Sequence, residues 1–317
     1  MKILVTPTSL QPGKNSPALT KLQQFCDDLV FNPTGKPLAE EDLAVLLKDC
    51  DGYIAGLDQI SEQVLKVCPK LKAISRYGAG YDRVDIKVAK ELGIKVTNTP
   101  SANAQAVAEL TFAMMMSLAR NITYLHRETI SGNWIRSTGT EMYGKTLGII
   151  GLGAIGKRVA ACAKGFQMNV LAYDPYINEE YCKEHKITST DFDTVIKNAD
   201  FISLHLPLLD STYHLISQEV IASMKPTALI VNASRGGIID EDAAYDALLA
   251  GNLGGLGLDA FEQEPPKASP LFSLPNVIAT PHAGAHTNEA IIAMGDMAVD
   301  NLICLLQGDD CNYIVNK

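Results

Sequence analysis

Hydrophobic residues in the first part of the chain occur in short runs that alternate with helix-like segments. The runs that we predict to be strands are 2–6, 29–32, 52–55, 71–75 and 95–97. Between them, apolar residues at helical spacing predict helices over 39–48, 61–67 and 86–92. Alternation of strands and helices is typical of a parallel sheet with helices on both faces.

A second alternating series begins near residue 146. Its predicted strands are 146–150, 169–173, 201–204, 228–232, 255–259 and 277–279. Six strands with intervening helices are the usual number for a doubly wound sheet. The pattern also predicts a long helix over 102–124, an irregular segment over 132–144 and an amphipathic helix over 288–306. A chain of 317 residues exceeds one ordinary core, so we expect two doubly wound α/β domains.

Composition and charge narrow the functional class. Hydrophobic residues make up 47% and charged residues 20% of the chain, which is ordinary for a soluble globular protein. The net charge of −9, without any run of Lys and Arg, argues against a nucleic-acid partner. No apolar run reaches membrane-spanning length, because the best candidate, 106–119, contains Glu109. We therefore expect neither nucleic acid nor a membrane as a partner.

The N-terminus and the cysteines indicate the cellular compartment of the protein. The chain starts directly with a predicted strand, which leaves no room for a signal peptide. Its seven cysteines are scattered without a CxxC pair. This usage fits buried thiols in a reducing compartment better than disulfides or a zinc site. We expect a cytoplasmic protein without a bound metal.

A glycine-rich segment follows the predicted strand 146–150 and opens a helix. Its glycines, Gly151, Gly153 and Gly156, have the GxGxxG spacing of a dinucleotide-binding turn. The first glycine allows the tight turn, the second allows close approach of a pyrophosphate, and the third allows helix and strand to pack closely. The helix N-terminus offers N–H groups and a positive dipole end to phosphates.

The next predicted strand ends at Asp174. A carboxylate at this position accepts hydrogen bonds from ribose hydroxyls and repels a 2′-phosphate. Pro175 and Tyr176 follow, with no Arg to receive such a phosphate. The sequence therefore predicts NAD rather than NADP as the cofactor. The alternative is a purely structural glycine-rich turn with a helix-capping Asp174.

Three side chains that follow later strands suit ketone reduction. Arg235 offers a planar guanidinium that can grip a carboxylate or a 2-oxo acid. His282 is a candidate general acid because an imidazole exchanges its proton near neutral pH. Glu264 can pair with His282 and hold its tautomer. In the alternative interpretation, Arg235 forms an ion pair on the surface and Glu264 is a loop residue without a catalytic role.

Several ordered motifs together resemble the D-isomer-specific 2-hydroxyacid dehydrogenase family. They are the glycine-rich segment with Asp174 and the later segments 231–236 (VNASRG), 259–265 (DAFEQEP) and 280–284 (TPHAG). The earlier segments 75–82 (SRYGAGYD) and 98–109 extend the resemblance over nearly the whole chain.

The resemblance implies a domain organisation and an assembly. A Rossmann NAD domain, 99–287, is nested within a discontinuous flavodoxin-like substrate domain formed by 1–98 and 288–317. Members of the family are usually homodimers joined through the NAD domains, which places the predicted helix 102–124 near the contact.

The resemblance also implies roles for individual residues. Arg235, Glu264 and His282 are the catalytic trio, and Arg235 and His282 also bind substrate. The remaining substrate contacts come from the backbone of Tyr77, Gly78, Ala79 and Gly80. The cofactor contacts come from Ala154 and Ile155 at the pyrophosphate, His205 and Pro207 on the adenosine side, and Ala233, Ser234 and Asp259, of which Ala233 and Asp259 lie near the nicotinamide.

The identity of the 2-hydroxy acid stays open at this point. Within the family, the segments 144–156 and around Arg76 resemble phosphoglycerate dehydrogenases. Those enzymes tend to carry a phosphate-binding Arg where this chain has Ala55-Gly56-Leu57, although Arg76 and Arg136 could supply positive charge. A 3-phosphoglycerate enzyme, a glyoxylate or hydroxypyruvate reductase and a D-lactate type enzyme are therefore alternatives. Two further alternatives are a non-enzymatic NAD-sensing protein like the related co-repressors, and formate oxidation, which pairs its His with Gln instead of Glu.

Overall fold

The computed structural model describes residues Met1 to Lys317 and divides the chain into two compact units. Unit 1 comprises Met1–Asn103 and His286–Lys317, and unit 2 comprises Ala104–Ala285. The expected boundaries after residues 98 and 287 lie a few residues from these positions. The assignment of substrate and cofactor to the two units stays a prediction at this point.

Unit 1 is built on a five-stranded parallel sheet. The strand order is β2-β1-β3-β4-β5, which is the flavodoxin-like order. The strands are β1 (Lys2–Val5), β2 (Asp28–Phe31), β3 (Gly52–Ala55), β4 (Ala73–Arg76) and β5 (Lys95–Thr97). The helices are α1 (Pro17–Phe25), α2 (Glu40–Leu47), α3 (Glu62–Lys66), α4 (Ile86–Glu91) and, from the C-terminal part of the chain, α12 (Asn288–Gln307).

Alternate residues of the unit 1 strands enter two different cores. Ile3 and Val5 belong to one hydrophobic cluster and Leu4 to the other, because neighbouring side chains of a strand point to opposite faces. The pattern did not predict α1, although it has a local start signal. Ser16 accepts a hydrogen bond from the backbone N–H of Leu19 at 3.3 Å, and Pro17 occupies the first turn.

Unit 2 is built on a seven-stranded parallel sheet in the order β12-β11-β10-β9-β6-β7-β8. Its strands are β6 (Thr146–Ile150), β7 (Asn169–Tyr173), β8 (Thr188–Ser189), β9 (Phe201–Leu204), β10 (Leu229–Asn232), β11 (Gly255–Leu258) and β12 (Val277–Ala279). Its helices are α5 (Ala104–Ala119), α6 (Ile122–Ile130), α7 (Ala154–Ala163), α8 (Glu179–His185), α9 (Phe192–Asn198), α10 (Gln218–Ala222) and α11 (Glu241–Leu249), with short 3₁₀ turns at Lys164–Phe166 and Pro270–Ser273. The order reverses between β6 and β9, which is where a doubly wound sheet opens a crevice for ligands.

Two predictions about unit 2 were wrong. The predicted helix 102–124 is two helices, α5 and α6, because Asn121 adopts the left-handed conformation with φ 54°. The sheet has seven strands instead of six, because β8 consists of only two residues and leaves no hydrophobic pattern. The irregular segment 132–144 is confirmed. No helix of the protein is both long and apolar enough to cross a membrane.

Candidate functional site

The glycine-rich turn between β6 and α7 has the geometry that the spacing predicts. Gly151 has φ 98°, and a Cβ there would lie 2.5 Å from the carbonyl oxygen of His205. A Cβ on Gly156 would lie 2.2 Å from the carbonyl oxygen of Gly151. Only Gly153 faces open space, with no atom within 4 Å of its added Cβ. Gly151 and Gly156 therefore allow close packing of the backbone, and Gly153 leaves room for a ligand.

The start of α7 offers unused backbone donors beside this open space. The first intrahelical hydrogen bond runs from Lys157 N to Gly153 O, at 3.0 Å. The N–H groups of Ala154 and Ile155 therefore lack intrahelical partners, and Ala154 is exposed. A helix N-terminus with accessible N–H groups suits the phosphates of a dinucleotide.

Asp174 follows β7 and organises the same turn. Its two carboxylate oxygens accept hydrogen bonds from the backbone N–H groups of Leu152 and Tyr176, each at 2.8 Å. Each oxygen has a second lone pair that can accept another hydrogen bond. Asp174 therefore serves the structural role of the alternative interpretation and still fits the ribose of NAD.

His205 and Pro207 follow β9 at the crevice. The imidazole Nε2 of His205 lies 2.5 Å from Ser203 Oγ, and its Nδ1 is buried without a hydrogen-bond partner. Burial lowers the pKa of His205 to about 3, so the ring is neutral at physiological pH. Pro207 is exposed, and its carbonyl accepts a hydrogen bond from Thr212. A buried ring nitrogen without a partner fits a wall of a cofactor pocket better than a proton-transfer role.

Asn232 shapes the loop after β10, which carries Ala233, Ser234 and Arg235. The Asn232 Oδ1 atom accepts from the N–H of Ser234 at 3.1 Å and from its hydroxyl at 2.7 Å. The Asn232 Nδ2 atom donates to the carbonyl of Arg235 at 2.7 Å. Nη1 of Arg235 donates to the carbonyl of Ser234 at 2.7 Å, and the Arg235 side chain is half-buried. Ala233 is half-buried in the same turn.

The loops after β10 and β11 touch closely. A Cβ on Gly236 would lie 1.8 Å from the carbonyl oxygen of Phe261, which only glycine permits. This contact sets the segment that carries Arg235 against the segment that leads to Glu264. Parallel strands bring such loops to one edge of the sheet, and the glycine lets them approach.

The predicted pairing of Glu264 with His282 is present. Glu264 Oε1 lies 2.8 Å from Nδ1 of His282, and the side chains are 18% and 28% exposed. The backbone N–H of Phe261 also donates to Glu264 Oε1, at 3.4 Å. A carboxylate at Nδ1 holds the proton on that nitrogen, which leaves Nε2 for another partner.

Asp259 anchors the loop that carries His282. This carboxylate is 2% exposed. Its Oδ1 accepts from the hydroxyl of Thr280 and the N–H of Ala283, both at 2.6 Å, and its Oδ2 accepts from the N–H of Gly284 at 2.8 Å. His282 itself has φ 52°, a conformation that a side chain with a Cβ rarely adopts. The contacts of Asp259 therefore hold the backbone on both sides of a strained residue.

Sequence reasoning did not single out two residues with clear roles here. Asn232 and Thr280 each fix a loop that bears a candidate catalytic group. The available signal for Asn232 was an Asn at a strand end followed two residues later by Ser, which favours a side-chain-capped turn. Thr280 had no such signal, because its partner Asp259 is distant in sequence.

The predicted substrate loop lies in unit 1, after β4. Its carbonyls accept hydrogen bonds: Gly78 O from Thr99 N at 3.0 Å, Ala79 O from Asn98 Nδ2 at 2.6 Å and Gly80 O from Arg76 Nε at 3.1 Å. The Tyr77 hydroxyl donates to the carbonyl of Ile291 at 2.9 Å. The N–H groups of Ala79 and Gly80 make no hydrogen bond within the protein, which suits an anionic ligand.

Comparison with known families gives a match within unit 2. Residues 112–284 match the model described as the D-isomer specific 2-hydroxyacid dehydrogenase, NAD binding domain. This segment contains the glycine-rich turn, Arg235, Glu264 and His282. The cofactor prediction, NAD, is confirmed by this match.

Individual relatives cover most of the chain. A D-3-phosphoglycerate dehydrogenase of Methanocaldococcus jannaschii is 44% identical over 283 residues, which are 88% of this chain and 54% of that protein. The chain thus spans about half the length of that relative. A glyoxylate reductase of Korarchaeum cryptofilum is 39% identical over 289 residues, which are 89% of this chain and 87% of that protein.

Solved structures show the same architecture. A D-lactate dehydrogenase from Aquifex aeolicus, solved with NAD and lactic acid, superposes with a TM-score of 0.87 at 30% identity. The match covers 100% of this chain and 99% of that one. The predicted fold, a Rossmann sheet together with a flavodoxin-like sheet, is confirmed.

The anchoring role of Asp259 leads to a first prediction. Asp259→Asn loses one of the acceptors that hold the 280–284 loop. We therefore expect the free energy of unfolding to fall by about 1–3 kcal/mol. Backbone amides of Ala283 and Gly284 should exchange with deuterium faster than in the unaltered protein. Asp246→Asn, at an exposed position of α11, is the matched control and should change neither quantity. Unchanged exchange in Asp259→Asn would show that other contacts hold the loop.

Proposed function

The chain belongs to the D-isomer-specific 2-hydroxyacid dehydrogenase family, and we propose that it transfers a hydride between NAD and a D-2-hydroxy acid or its 2-oxo acid. The observation that carries the proposal is the 2.8 Å contact between Glu264 and His282, on a loop held by the buried Asp259. Reduction of a 2-oxo acid needs a proton donor beside the carbonyl group, and the pair of His282 and Glu264 supplies one.

His282 is the proposed general acid for reduction of the ketone. With the proton on Nδ1 directed at Glu264, Nε2 delivers a second proton to the carbonyl oxygen of the substrate. Bound NADH supplies the hydride, which the protein has no group of its own to provide. In the reverse direction the neutral His282 takes the proton from the hydroxyl, and Glu264 stabilises the imidazolium that results.

Arg235 is proposed to orient the 2-oxo acid. Its guanidinium is held at one nitrogen by the carbonyl of Ser234, and a planar fork can bind a carboxylate with fixed geometry. On unit 1, the N–H groups of Ala79 and Gly80 are proposed to bind the substrate carboxylate, with Tyr77 and Gly78 shaping the loop. Unit 1 would then be the substrate domain.

Unit 2 is proposed to hold NAD along the edge of its sheet. The proposed pyrophosphate contacts are the N–H groups of Ala154 and Ile155 beside Gly153, and the proposed ribose contact is Asp174. The other proposed contacts, beside Gly151 and Gly156 of the turn, are His205, Pro207, Ala233, Ser234 and Asp259. Asp174 disfavours a 2′-phosphate by charge repulsion, which supports NAD over NADP.

The cysteines support a reducing compartment, and we propose the cytoplasm. All seven are free, and five of them are buried. Burial raises the pKa of both Cys50 and Cys68 to about 11, so these thiols stay protonated and unreactive.

We also propose a homodimer joined through unit 2. Large apolar side chains are exposed over 116–143, among them Ile130 at 71% and Trp134 at 87%. Helix α6 buries none of its residues, and a nine-residue helix of that kind is marginal without a partner. A cavity of about 450 Å³ lies at this segment, lined by two residues of α5, by Arg120, by residues 140–143 and by Phe166. Such an apolar patch is typical of a subunit interface, and a second copy of the chain is the proposed partner.

A second prediction tests the role of His282. His282→Gln keeps a hydrogen-bonding side chain but removes the proton donor, so turnover of NADH with a 2-oxo acid should fall about 10²- to 10⁴-fold. The dissociation constant for NADH, measured by fluorescence titration, should change much less. His185→Gln, at the C-terminal end of α8, is the control and should retain turnover.

The same assays can refute the proposal. A panel of glyoxylate, pyruvate, hydroxypyruvate and 3-phosphohydroxypyruvate that gives no NADH oxidation, while NADH binds, would remove the enzymatic function. It would favour the NAD-sensing alternative.

A third prediction concerns the exposed 116–143 segment. The double variant Ile130→Ser, Trp134→Ser removes apolar surface from the proposed interface and should shift the protein to a monomer of 34.2 kDa. Light scattering coupled to size-exclusion chromatography measures this mass. Tyr176→Ser, at a position 93% exposed elsewhere on unit 2, is the control and should leave the dimer intact. A monomeric unaltered protein, or a double variant that remains dimeric, would contradict the proposed interface.

A further inference from the structure

The proposed substrate loop, Tyr77–Gly80, is held on one side by the segment that follows β5. The carbonyl of Gly78 accepts a hydrogen bond from the backbone N–H of Thr99 at 3.0 Å, and the N–H of Gly78 donates to the Thr99 hydroxyl at 3.0 Å. The carbonyl of Ala79 accepts from Nδ2 of Asn98 at 2.6 Å. Two consecutive carbonyls of the loop therefore point towards this segment.

The direction of these carbonyls fixes the direction of the amide groups beside them. In a trans peptide the C=O and N–H groups of one plane point in opposite directions, and the peptides of this loop are trans. The carbonyl of Gly78 shares its plane with the N–H of Ala79, and the carbonyl of Ala79 shares its plane with the N–H of Gly80. Both N–H groups thus point away from residues 98–99, and neither makes a hydrogen bond within the protein. Successive N–H groups that face one way form a site for an anion.

Asn98 is itself held by a buried side chain of α12. Asn301 is 5% exposed, and its Nδ2 donates to the backbone carbonyl of Asn98 at 2.9 Å. Its Oδ1 accepts from the thiol of Cys311 at 3.5 Å. A buried amide costs free energy unless its polar atoms are paired, and here both atoms are paired. A chain of hydrogen bonds therefore runs from α12 through Asn98 to the carbonyl of Ala79.

Arg76 fixes a different peptide plane of the same loop. This arginine is 3% exposed and donates from Nε to the carbonyl of Gly80 at 3.1 Å and from Nη1 to that of Ala55 at 2.7 Å. The carbonyl of Gly80 belongs to the plane that follows Gly80. The bond from Asn98 acts one plane earlier, on the plane that carries the N–H of Gly80.

From this geometry we infer that Asn98 is a positioning residue for substrate binding. It aims the N–H group of Gly80, and with the neighbouring Thr99 that of Ala79, at the carboxylate of the 2-oxo acid. The Asn98 side chain acts through Ala79 and needs no contact of its own with the substrate. Without this bond the plane between Ala79 and Gly80 can rotate, because glycine allows a wide range of φ. The inference rests on the proposed function, since it concerns the same loop.

Removal of the Asn98 side chain tests the inference. In Asn98→Ala we expect the KM to rise about tenfold for the 2-oxo acid of the panel with the highest kcat/KM, which is the lower end for loss of one hydrogen bond to a charged group. The kcat should change by less than about threefold, because this contact holds the substrate equally before and during the reaction. Asn98→Leu, of similar size without the donor, should give the same rise. The dissociation constant for NADH should stay unchanged.

Asn316 offers a matched control, because it holds the strand before the loop segment and does not contact the loop. Its Oδ1 accepts from the N–H of Val96 at 2.9 Å, and its Nδ2 donates to the carbonyl of Ile94 at 2.8 Å. Asn316→Ala should lower the melting temperature at least as much as Asn98→Ala and leave the KM unchanged. An unchanged KM in Asn98→Ala, or an equal rise in both variants, would overturn the inference.

Amide exchange in the unaltered protein tests the inference without a variant. The N–H groups of Ala79 and Gly80 should exchange with deuterium rapidly in the free protein. They should exchange more slowly with the same 2-oxo acid and NAD⁺, which has no hydride to give. If neither Asn98 variant folds, this slowing decides, and its absence at saturating concentrations would overturn the inference. Absence of NADH oxidation with every 2-oxo acid of the panel would instead refute the proposed function.

Discussion

The hydrogen bond between Nδ1 of His282 and Glu264 Oε1 determines which imidazole nitrogen is available for chemistry, and it forms only if two loops are held in place. The loop of His282 pays a conformational cost, since a left-handed non-glycine residue is unfavourable by about 1–2 kcal/mol. Asp259 accepts three hydrogen bonds from this loop. Hydrogen bonds to a charged group contribute about 1.5–3 kcal/mol each, so the carboxylate outweighs the strain.

The parallel sheets explain why the other groups lie where they can contribute. In unit 2, every candidate residue from Gly151 to His282 follows the carboxyl end of a strand, and the reversal of strand order between β6 and β9 opens the crevice there. In unit 1, the proposed substrate loop likewise follows the carboxyl end of a strand, β4.

The sequence predicted those features that depend on local pattern. The strands, the glycine-rich turn and the pairing of Glu264 with His282 follow from periodicity, spacing and residue chemistry, together with a family resemblance. The break at Asn121 was missed because no Gly or Pro interrupts the predicted helix 102–124. The clamp formed by Asp259 and Thr280 was missed because it joins residues 21 positions apart through contacts that exist only in the folded sheet.

In the proposed reaction a hydride passes directly from NADH to the substrate, and His282 supplies the proton. The most direct measurement uses NADH deuterated at C4 of the nicotinamide and hydroxypyruvate as the acceptor, followed by NMR of the product. Direct transfer gives D-glycerate with deuterium at C2 from one of the two C4-deuterated epimers of NADH and without it from the other. Product without deuterium at C2 after use of both C4-deuterated epimers, or product of the L configuration, would contradict it.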